Sequence, residues 1–203
     1  MISSIDSPHI SVLKRHRLKV LALLVAVVIG LVAFRIFLVE RGSSAFRAVA
    51  ITAAVGREAP VGQFMTSSGH TANLASYIGG RKTLVWFVAG GCAGCASSIP
   101  AVAQHFRQLR DDGVHVVTLG LYGAFPNGKQ GSEQLKSFGS EAAGASINRP
   151  GWTWGMASKK LTFAYDPSGT PDEYFLIAPN GNIVYQNSVP VSTLPQLLTA
   201  ASR

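Results

Sequence analysis

The sequence predicts a mixed α/β fold, in which helices flank a central sheet and an apolar segment precedes the folded part. Two observations predict it. Short apolar runs rich in β-branched and aromatic residues alternate with helical patterns, and Asn180-Gly181 is a hairpin signal that joins the last two runs. The predicted order is strand, helix, strand, helix, then a hairpin and a final helix, with one crossover connection.

The first 40 residues predict a single transmembrane helix with a cytoplasmic basic tail. Residues 20–39 are apolar apart from Arg35, and about 20 such residues cross a bilayer if Arg35 extends to the far interface. Residues 1–19 carry four Lys or Arg against one Asp, so the positive-inside rule places this tail in the cytoplasm and everything after residue 40 outside. A cleaved signal peptide is the alternative, with Ala48-Val49-Ala50 as its processing site. Both alternatives place the cysteines in an oxidising compartment.

The composition supports a membrane segment and argues against nucleic acid as a partner. Hydrophobic residues make up 47% of the 203 residues, whereas charged residues make up only 14%. The net charge is +8, of which the tail supplies +3, and the remainder is spread through the outer part without a basic run. No basic patch is interleaved with aromatic residues, so we expect no nucleic-acid site.

The elements that follow the anchor are predicted from their periodicity and turn signals. Residues 40–58 form a linker and a first strand at 49–55, and residues 59–203 form the folded domain. The helix that begins at residue 96 contains Pro100, which we expect to kink it, and Ser132 is the predicted cap of the next helix. The other elements are a polar turn at 67–70, a helical turn at 74–78, strands at 84–89, 114–122, 174–178 and 183–186, helices at 96–112, 132–145 and 193–200, and a loop at 150–155.

Trp152 and Trp154 mark the predicted loop and are open to two interpretations. They flank Thr153 and point the same way if the segment is extended. In the first interpretation they pack in the core, as large aromatic residues usually do. In the second they form an apolar rim beside the redox site that holds a peptide-like partner.

The two cysteines of the chain, Cys92 and Cys95, follow a buried strand and a glycine turn and open a helix. The first turn of a helix has unpaired N–H groups and a positive dipole end, which stabilise a Cys92 thiolate. Cys95 lies one turn further on and resolves the mixed disulfide that Cys92 forms. A structural disulfide closing so short a loop contributes little, and a zinc site lacks two further ligands. The pattern therefore predicts a redox-active disulfide that exchanges with protein thiols, with no metal or other cofactor.

Residues 59–203 resemble the thioredoxin superfamily, and in particular the membrane-anchored thiol–disulfide oxidoreductases related to TlpA and ResA. The matching pieces are Ala59-Pro60, the strand before Cys92-Ala93-Gly94-Cys95, Pro100, Tyr165, Gly169-Thr170-Pro171, Tyr174–Ile177 and Asn180-Gly181.

The resemblance implies a thioredoxin-like fold and an extracytoplasmic oxidoreductase of the cell membrane, acting in cytochrome c maturation or envelope redox homeostasis. It implies a cis Thr170–Pro171 bond beside Cys92 and a substrate-binding role for both residues. Pro171 would shape the client groove, and the backbone at Thr170 would pair with the client chain. A membrane electron donor or acceptor is left open as a further partner.

The chain departs from this family around the cysteines. Gly91 and Gly94 replace the usual aromatic residue and proline that precede the two cysteines. Trp86 stands where thioredoxin has a buried acid, and Ser98 stands where reductases often have a glutamate. A proton acceptor for the second cysteine is therefore missing from both usual positions. The candidates to replace it are Asp166, Glu133 and Glu141.

Two other function classes stay open at this point. The missing carboxylates favour a redox-inactive thioredoxin-like module that binds or senses rather than turns over. Copper handling is the other alternative, although copper-delivering relatives use Cys-x-x-x-Cys and the spacing here is one residue shorter. We expect disulfide reduction and metal uptake to distinguish these classes.

Overall fold

The computed structural model of the chain describes residues 53–203. The predicted basic tail and the anchor at 20–39 lie outside the described residues. So does most of the predicted strand at 49–55, and residues 53–55 do not belong to a strand. Between residues 53 and 203, no helix has the length and apolar character needed to cross a membrane.

A seven-stranded mixed sheet forms the centre of the described domain, with the strand order β2-β1-β5-β4-β3-β6-β7. The neighbours β3, β4 and β5 run parallel, and the other pairs are antiparallel. The strands are β1 (Gln63–Thr66), β2 (Thr71–Asn73), β3 (Lys82–Val88), β4 (Val114–Gly120), β5 (Trp152–Ala157), β6 (Glu173–Ile177) and β7 (Ile183–Ser188).

Four α-helices connect or follow these strands, and short 3-10 helices lie at Leu74–Ser76 and Gly144–Asn148. The two long connections, β3 to β4 and β4 to β5, each contain a helix, as parallel neighbours require. The helices are α1 (Ala93–Asp111), α2 (Lys129–Ala143), α3 (Lys159–Tyr165) and α4 (Pro190–Ala201).

The central strand β3 is buried on both faces of the sheet, which explains its unbroken apolar run. Leu84, Trp86 and Val88 face one core, which also contains the buried residues of α1, α2 and α4. Val85 and Phe87 face a second core on the other side, closed in part by residues of α3. The predicted mixed sheet with flanking helices is thus confirmed, and β3 brings its carboxyl end to the cysteines.

The prediction of a loop at 150–155 is wrong, because Trp152–Ala157 is strand β5. Trp152 and Trp154 are 6% and 4% exposed, and their rings stack at 5.5 Å in the core. Aromatic residues at a spacing of two suit a strand, and this pattern prevails over the flanking proline and glycine. Core packing is therefore the correct interpretation of the two tryptophans, and the sheet has two helical crossovers instead of one.

The predicted cap at Ser132 is also wrong. Helix α2 begins at Lys129 after Gly128, whose left-handed backbone (φ 71°) turns the chain into the helix. Ser132 lies inside the first turns and is buried. The other predicted elements agree with the structure to within a few residues at their ends, and Pro100 lies inside α1.

Candidate redox site

A disulfide joins Cys92 and Cys95 at the start of helix α1, and the Cα atoms of the two residues are 5.3 Å apart. Strand β3 ends at Val88, and Gly91 then turns the chain with a positive φ of 74° that a side chain would strain. Cys92 is the N-cap of the helix, and its Sγ accepts a hydrogen bond of 3.0 Å from the N–H of Cys95. The predicted strand, glycine turn and helix arrangement is therefore what positions the sulfurs.

The two sulfurs differ in their exposure. Cys92 is half-buried, whereas Cys95 is fully buried in the core beneath α1. None of the residues that form the first turn of α1 is acidic, so their own side chains do not oppose the positive end of the helix dipole. Cys92 is therefore more accessible to an incoming thiolate or disulfide than Cys95 is.

A buried acid that the sequence analysis missed, Asp172, lies against the same helix. It follows Pro171, precedes β6 and is only 2% exposed. Its backbone is left-handed (φ 74°), a conformation that Asp and Asn tolerate better than most residues. Its N–H donates to the carbonyl of Phe87 at 2.8 Å, and its carbonyl accepts from Val189 at 2.9 Å. These backbone bonds fix the side chain in the core.

Each oxygen of the Asp172 carboxylate accepts one hydrogen bond. The indole N–H of Trp86 donates to Oδ1 at 2.9 Å, and the hydroxyl of Ser98 donates to Oδ2 at 2.9 Å. The Ser98 oxygen accepts the N–H of Val191 at 3.2 Å. Burial raises the pKa of Asp172, and the hydrogen bonds from Ser98 and Trp86 oppose that rise.

Gly94 leaves the space that Asp172 occupies beside the disulfide. A Cβ placed on Gly94 would lie 3.0 Å from Oδ2 of Asp172 and 3.9 Å from Sγ of Cys92. A side chain at position 94 would therefore collide with a carboxylate that two donors hold in place. The glycine at position 94 thus gives the carboxylate room beside the disulfide.

The three acids predicted as replacements are elsewhere. Asp166 is buried at the end of α3, where its Oδ1 accepts from Ser168 at 2.8 Å. Glu133 lies on α2 and pairs with Lys129 at 3.7 Å on the surface. Glu141 is exposed on α2, and none of the three contributes a described hydrogen bond to Trp86 or Ser98. The signal available in the sequence was the position of Asp172, directly after the Thr170-Pro171 loop.

The predicted cis bond between Thr170 and Pro171 is wrong, because residues 53–203 contain no cis peptide bond. An X-Pro bond favours the trans form unless its surroundings demand otherwise. Here Gly169 (φ 70°) and Asp172 (φ 74°) turn the chain into β6. Thr170 is exposed and Pro171 is half-buried, and their role in substrate binding stays a prediction.

A surface groove of about 450 Å³ adjoins the glycine turn before Cys92. It runs between that turn and α2, and it is lined by Gly90, Gly91, Ala124, Phe125, Phe138 and Glu141, among others. Within the described part of the chain, no three His, Cys, Asp or Glu side chains are grouped so that they could hold a metal ion.

Comparison with known proteins places these features in context. A family model described as Redoxin matches residues 54–200. No curated protein sequence matches the chain.

Three solved structures illustrate the shared fold. The thioredoxin domain of a thiol-disulfide oxidoreductase from Bacteroides vulgatus has 19% identity and a TM-score of 0.55, covering 72% of this chain and 99% of that one. A putative thiol:disulfide interchange protein DsbE from Chlorobium tepidum has 20% identity and a TM-score of 0.54, with 75% and 100% covered. A yeast mitochondrial 1-Cys peroxiredoxin has 15% identity and a TM-score of 0.55, with 72% and 74% covered. The similarity establishes a thioredoxin-like fold.

Proposed function

The chain belongs to the Redoxin family of thiol–disulfide oxidoreductases, and from that premise we propose that it exchanges disulfides with client proteins outside the cytoplasm. One observation carries the proposal: the Cys92–Cys95 disulfide has one half-buried and one fully buried sulfur at the start of α1. This difference in burial supports an attacking role for Cys92 and a resolving role for Cys95.

The reaction runs through a mixed disulfide at Cys92. In the reducing direction, the Cys92 thiolate attacks a client disulfide and one client sulfur leaves as a thiolate. Cys95 then attacks Cys92, which restores the Cys92–Cys95 disulfide and releases the second client sulfur. Two electrons pass to the client, and the reverse sequence oxidises a client dithiol. The direction in the cell depends on the reduction potential of the couple.

Client chains would bind on the two sides of Cys92. The groove beside the glycine turn, lined by both Phe138 and Glu141, offers a mixed apolar and polar surface for a client side chain near Cys92. On the other side, the backbone at Thr170 and Pro171 would pair with an extended client segment. The exposure of Thr170 supports this assignment.

The sequence supports an extracytoplasmic location and a membrane anchor at residues 20–39. A membrane-impermeant thiol reagent applied to intact, reduced cells tests the location, after permeabilisation of any outer barrier. We expect it to label Cys92 without lysis of the inner membrane. Labelling only after full lysis would contradict the proposed orientation.

A trapping variant tests the exchange itself. We expect Cys95→Ala to accumulate mixed disulfides with client proteins through Cys92, because the resolving thiol is absent. The double variant Cys92→Ala/Cys95→Ala is the matched control and should trap nothing. If apocytochromes c are among the trapped proteins, the chain acts in cytochrome c maturation, whereas other envelope proteins indicate general redox homeostasis. Equal recovery from both variants would contradict the proposal.

A redox-inactive binding or sensing module was favoured because positions 86 and 98 lack a carboxylate. Asp172 supplies a carboxylate to both positions, so that alternative loses its main support. Reduction of insulin by the full chain distinguishes the two functions, with a double Cys→Ser variant as control. A binding or sensing module would show no difference between them. Copper uptake by the reduced protein tests the remaining alternative.

A further inference from the structure

The buried thiol of Cys95 needs a proton acceptor if it is to act as a nucleophile. A thiolate attacks a disulfide, whereas a thiol does not, and burial in apolar surroundings raises the pKa of a thiol. Cys95 is fully buried among apolar residues that include Ile99 and Trp86. Water therefore has poor access to its proton, and a protein group must take it.

Asp172 contacts helix α1 on either side of Cys95. Its Oδ2 lies 3.0 Å from the Cβ position of Gly94 and accepts the Ser98 hydroxyl at 2.9 Å. Positions 94 and 98 are one turn apart on the same face of the helix, and Cys95 and Ser98 are both buried on that side. The carboxylate is thus held against the turn that carries the resolving cysteine.

The hydrogen bonds to Asp172 leave it able to accept a proton. The indole of Trp86 is a donor only, and the Ser98 oxygen accepts the N–H of Val191, which directs the hydroxyl hydrogen to Oδ2. Each carboxylate oxygen therefore keeps one unused lone pair among the described contacts.

Given the exchange reaction proposed above, on which this step rests, we propose that Asp172 takes the proton of the Cys95 thiol when Cys95 attacks the mixed disulfide on Cys92. The bond between Cys92 and the client sulfur breaks, the Cys92–Cys95 bond forms, and the client sulfur leaves with the electron pair of the broken bond. The proton passes from Cys95 to Asp172 and then to the leaving thiolate or to solvent. In the reverse direction, protonated Asp172 supplies the proton to Cys95 as it leaves.

Few other titratable groups face Asp172. At the start of α1, Sγ of Cys92 and Oδ2 of Asp172 both lie within 4 Å of the position that a Cβ on Gly94 would take. From β6 it is the buried phenol of Tyr174, whose pKa is raised by burial and, to a lesser extent, by the charge of Asp172. The described hydrogen bonds to the carboxylate come from two neutral donors, Trp86 of β3 and Ser98 of α1. From the start of α4, the N–H of Val191 donates to the Ser98 oxygen and not to the carboxylate. Burial holds the pKa of Asp172 above its ordinary value, which brings it closer to that of a thiol and favours transfer between them.

The lifetime of the mixed disulfide tests the proposal. The reduced full chain is mixed with glutathione disulfide as a probe, quenched with acid and followed by mass spectrometry across a range of pH. We expect Asp172→Asn to lengthen the lifetime of the Cys92–glutathione species about 100-fold near neutral pH and to shift the pH profile of its decay upward. Asn tolerates the left-handed backbone at this position, so the variant adds no backbone strain there.

Two further variants separate a proton-transfer role from a structural one. Asp166→Asn removes another buried carboxylate and should decay like the wild-type chain. Ser98→Ala keeps Asp172 but removes one donor, so the pKa of Asp172 rises and the pH profile moves upward. A wild-type lifetime and pH profile in Asp172→Asn would overturn the role of Asp172 while leaving the exchange reaction intact. Failure of the wild-type chain to form any Cys92–glutathione species would overturn both.

Discussion

The indole nitrogen of Trp86 lies 2.9 Å from Oδ1 of Asp172, so the residue at the position where thioredoxin has its buried acid is hydrogen-bonded to an acid from the turn before β6. Ser98, at the other position that lacks a carboxylate, donates to Oδ2 of the same side chain. The carboxylate has therefore not been lost from the site. It enters from the start of β6, and the residues at the two usual positions have become its donors.

The bond from Trp86 has a pH-dependent effect on stability. We expect Trp86→Phe to lower the free energy of unfolding of the oxidised protein by about 1–3 kcal/mol beyond the loss of packing, since it leaves a buried carboxylate oxygen unpaired. The cost should be larger above the pKa of Asp172, where the acceptor is charged. Chemical denaturation at several pH values measures it.

Trp152→Phe is the matched control for that variant. The Trp152 indole is also buried, and it donates at 2.9 Å to Oγ1 of Thr118, an acceptor that carries no charge. The loss of unfolding free energy caused by Trp152→Phe should therefore be independent of pH in the same range. Parallel pH curves for the two variants would contradict the assigned role of the Trp86 bond.

Ser98 links α1 to both β6 and the start of α4, so its removal should be costly. Ser98→Ala leaves the N–H of Val191 and Oδ2 of Asp172 each without a partner, and we expect the free energy of unfolding to fall by about 1–3 kcal/mol. Ser97→Ala, at the exposed neighbour whose hydroxyl bonds only to the carbonyl of Ala93, should change it by less than about 0.5 kcal/mol. Equal effects in a denaturant titration would exclude this linking role.

The raised pKa of Asp172 predicts the sign of a pH effect on stability. Between the ordinary Asp value of 3.8 and the raised native value, the native state binds more protons than the unfolded state. The contribution of this group is therefore full below the ordinary value and is lost as the pH rises through the native pKa. The slope it contributes is at most about 1.4 kcal/mol per pH unit.

Asp172→Asn should remove that slope. We would measure the free energies of unfolding of the oxidised wild-type and Asp172→Asn proteins between acid and neutral pH. As the pH rises, the free energy of unfolding of the variant should increase relative to that of the wild type. Asp166→Asn, at a buried carboxylate whose described hydrogen bond comes from Ser168, is the reference. A difference that stays constant with pH would contradict the raised native pKa.

Gly94 provides a steric test of the same geometry. In an unobstructed helix, Gly→Ala stabilises by up to about 1 kcal/mol. At position 94 the new Cβ would meet Oδ2 of Asp172 at 3.0 Å, so we expect Gly94→Ala to lower the free energy of unfolding by about 1 kcal/mol instead. Ala93→Gly, at the exposed neighbouring position, measures the propensity effect in the same turn. A stabilised Gly94→Ala protein would show that the carboxylate moves away freely.

The sequence was sufficient to predict the elements that carry the cysteines, because β3 and α1 have clear apolar periods and a glycine turn between them. Strand β5 was missed, since proline and glycine flank Trp152 and outweighed the alternation of Trp152 and Trp154. In so short a segment the sequence contains both turn signals and a strand pattern. Packing of Trp152 against Phe106 and the core stabilises the strand.

Asp172 could not be found by periodicity or motif. Its position depends on a left-handed backbone, on the register of β6 against β3, and on donors from two separate elements. A search of the sequence for acids near the other motifs or in predicted helices selects Asp166, Glu133 and Glu141. It misses Asp172 because distance along the sequence does not indicate which residues meet across a sheet. The unusual pair of Trp86 and Ser98 was the available clue, because two donors in place of two acceptors imply a shared acceptor between them.

The close approach of Asp172 to Gly94 couples two distant positions of the chain. A side chain before the second cysteine crowds an acid that directly follows the loop proline, because its Cβ would lie 3.0 Å from the carboxylate. Chains that carry this acid should therefore show glycine in the dipeptide between the cysteines and a hydrogen-bond donor at the position of Trp86. This correlation offers a criterion for recognising, among proteins of this fold, a subgroup whose acid directly follows the loop proline.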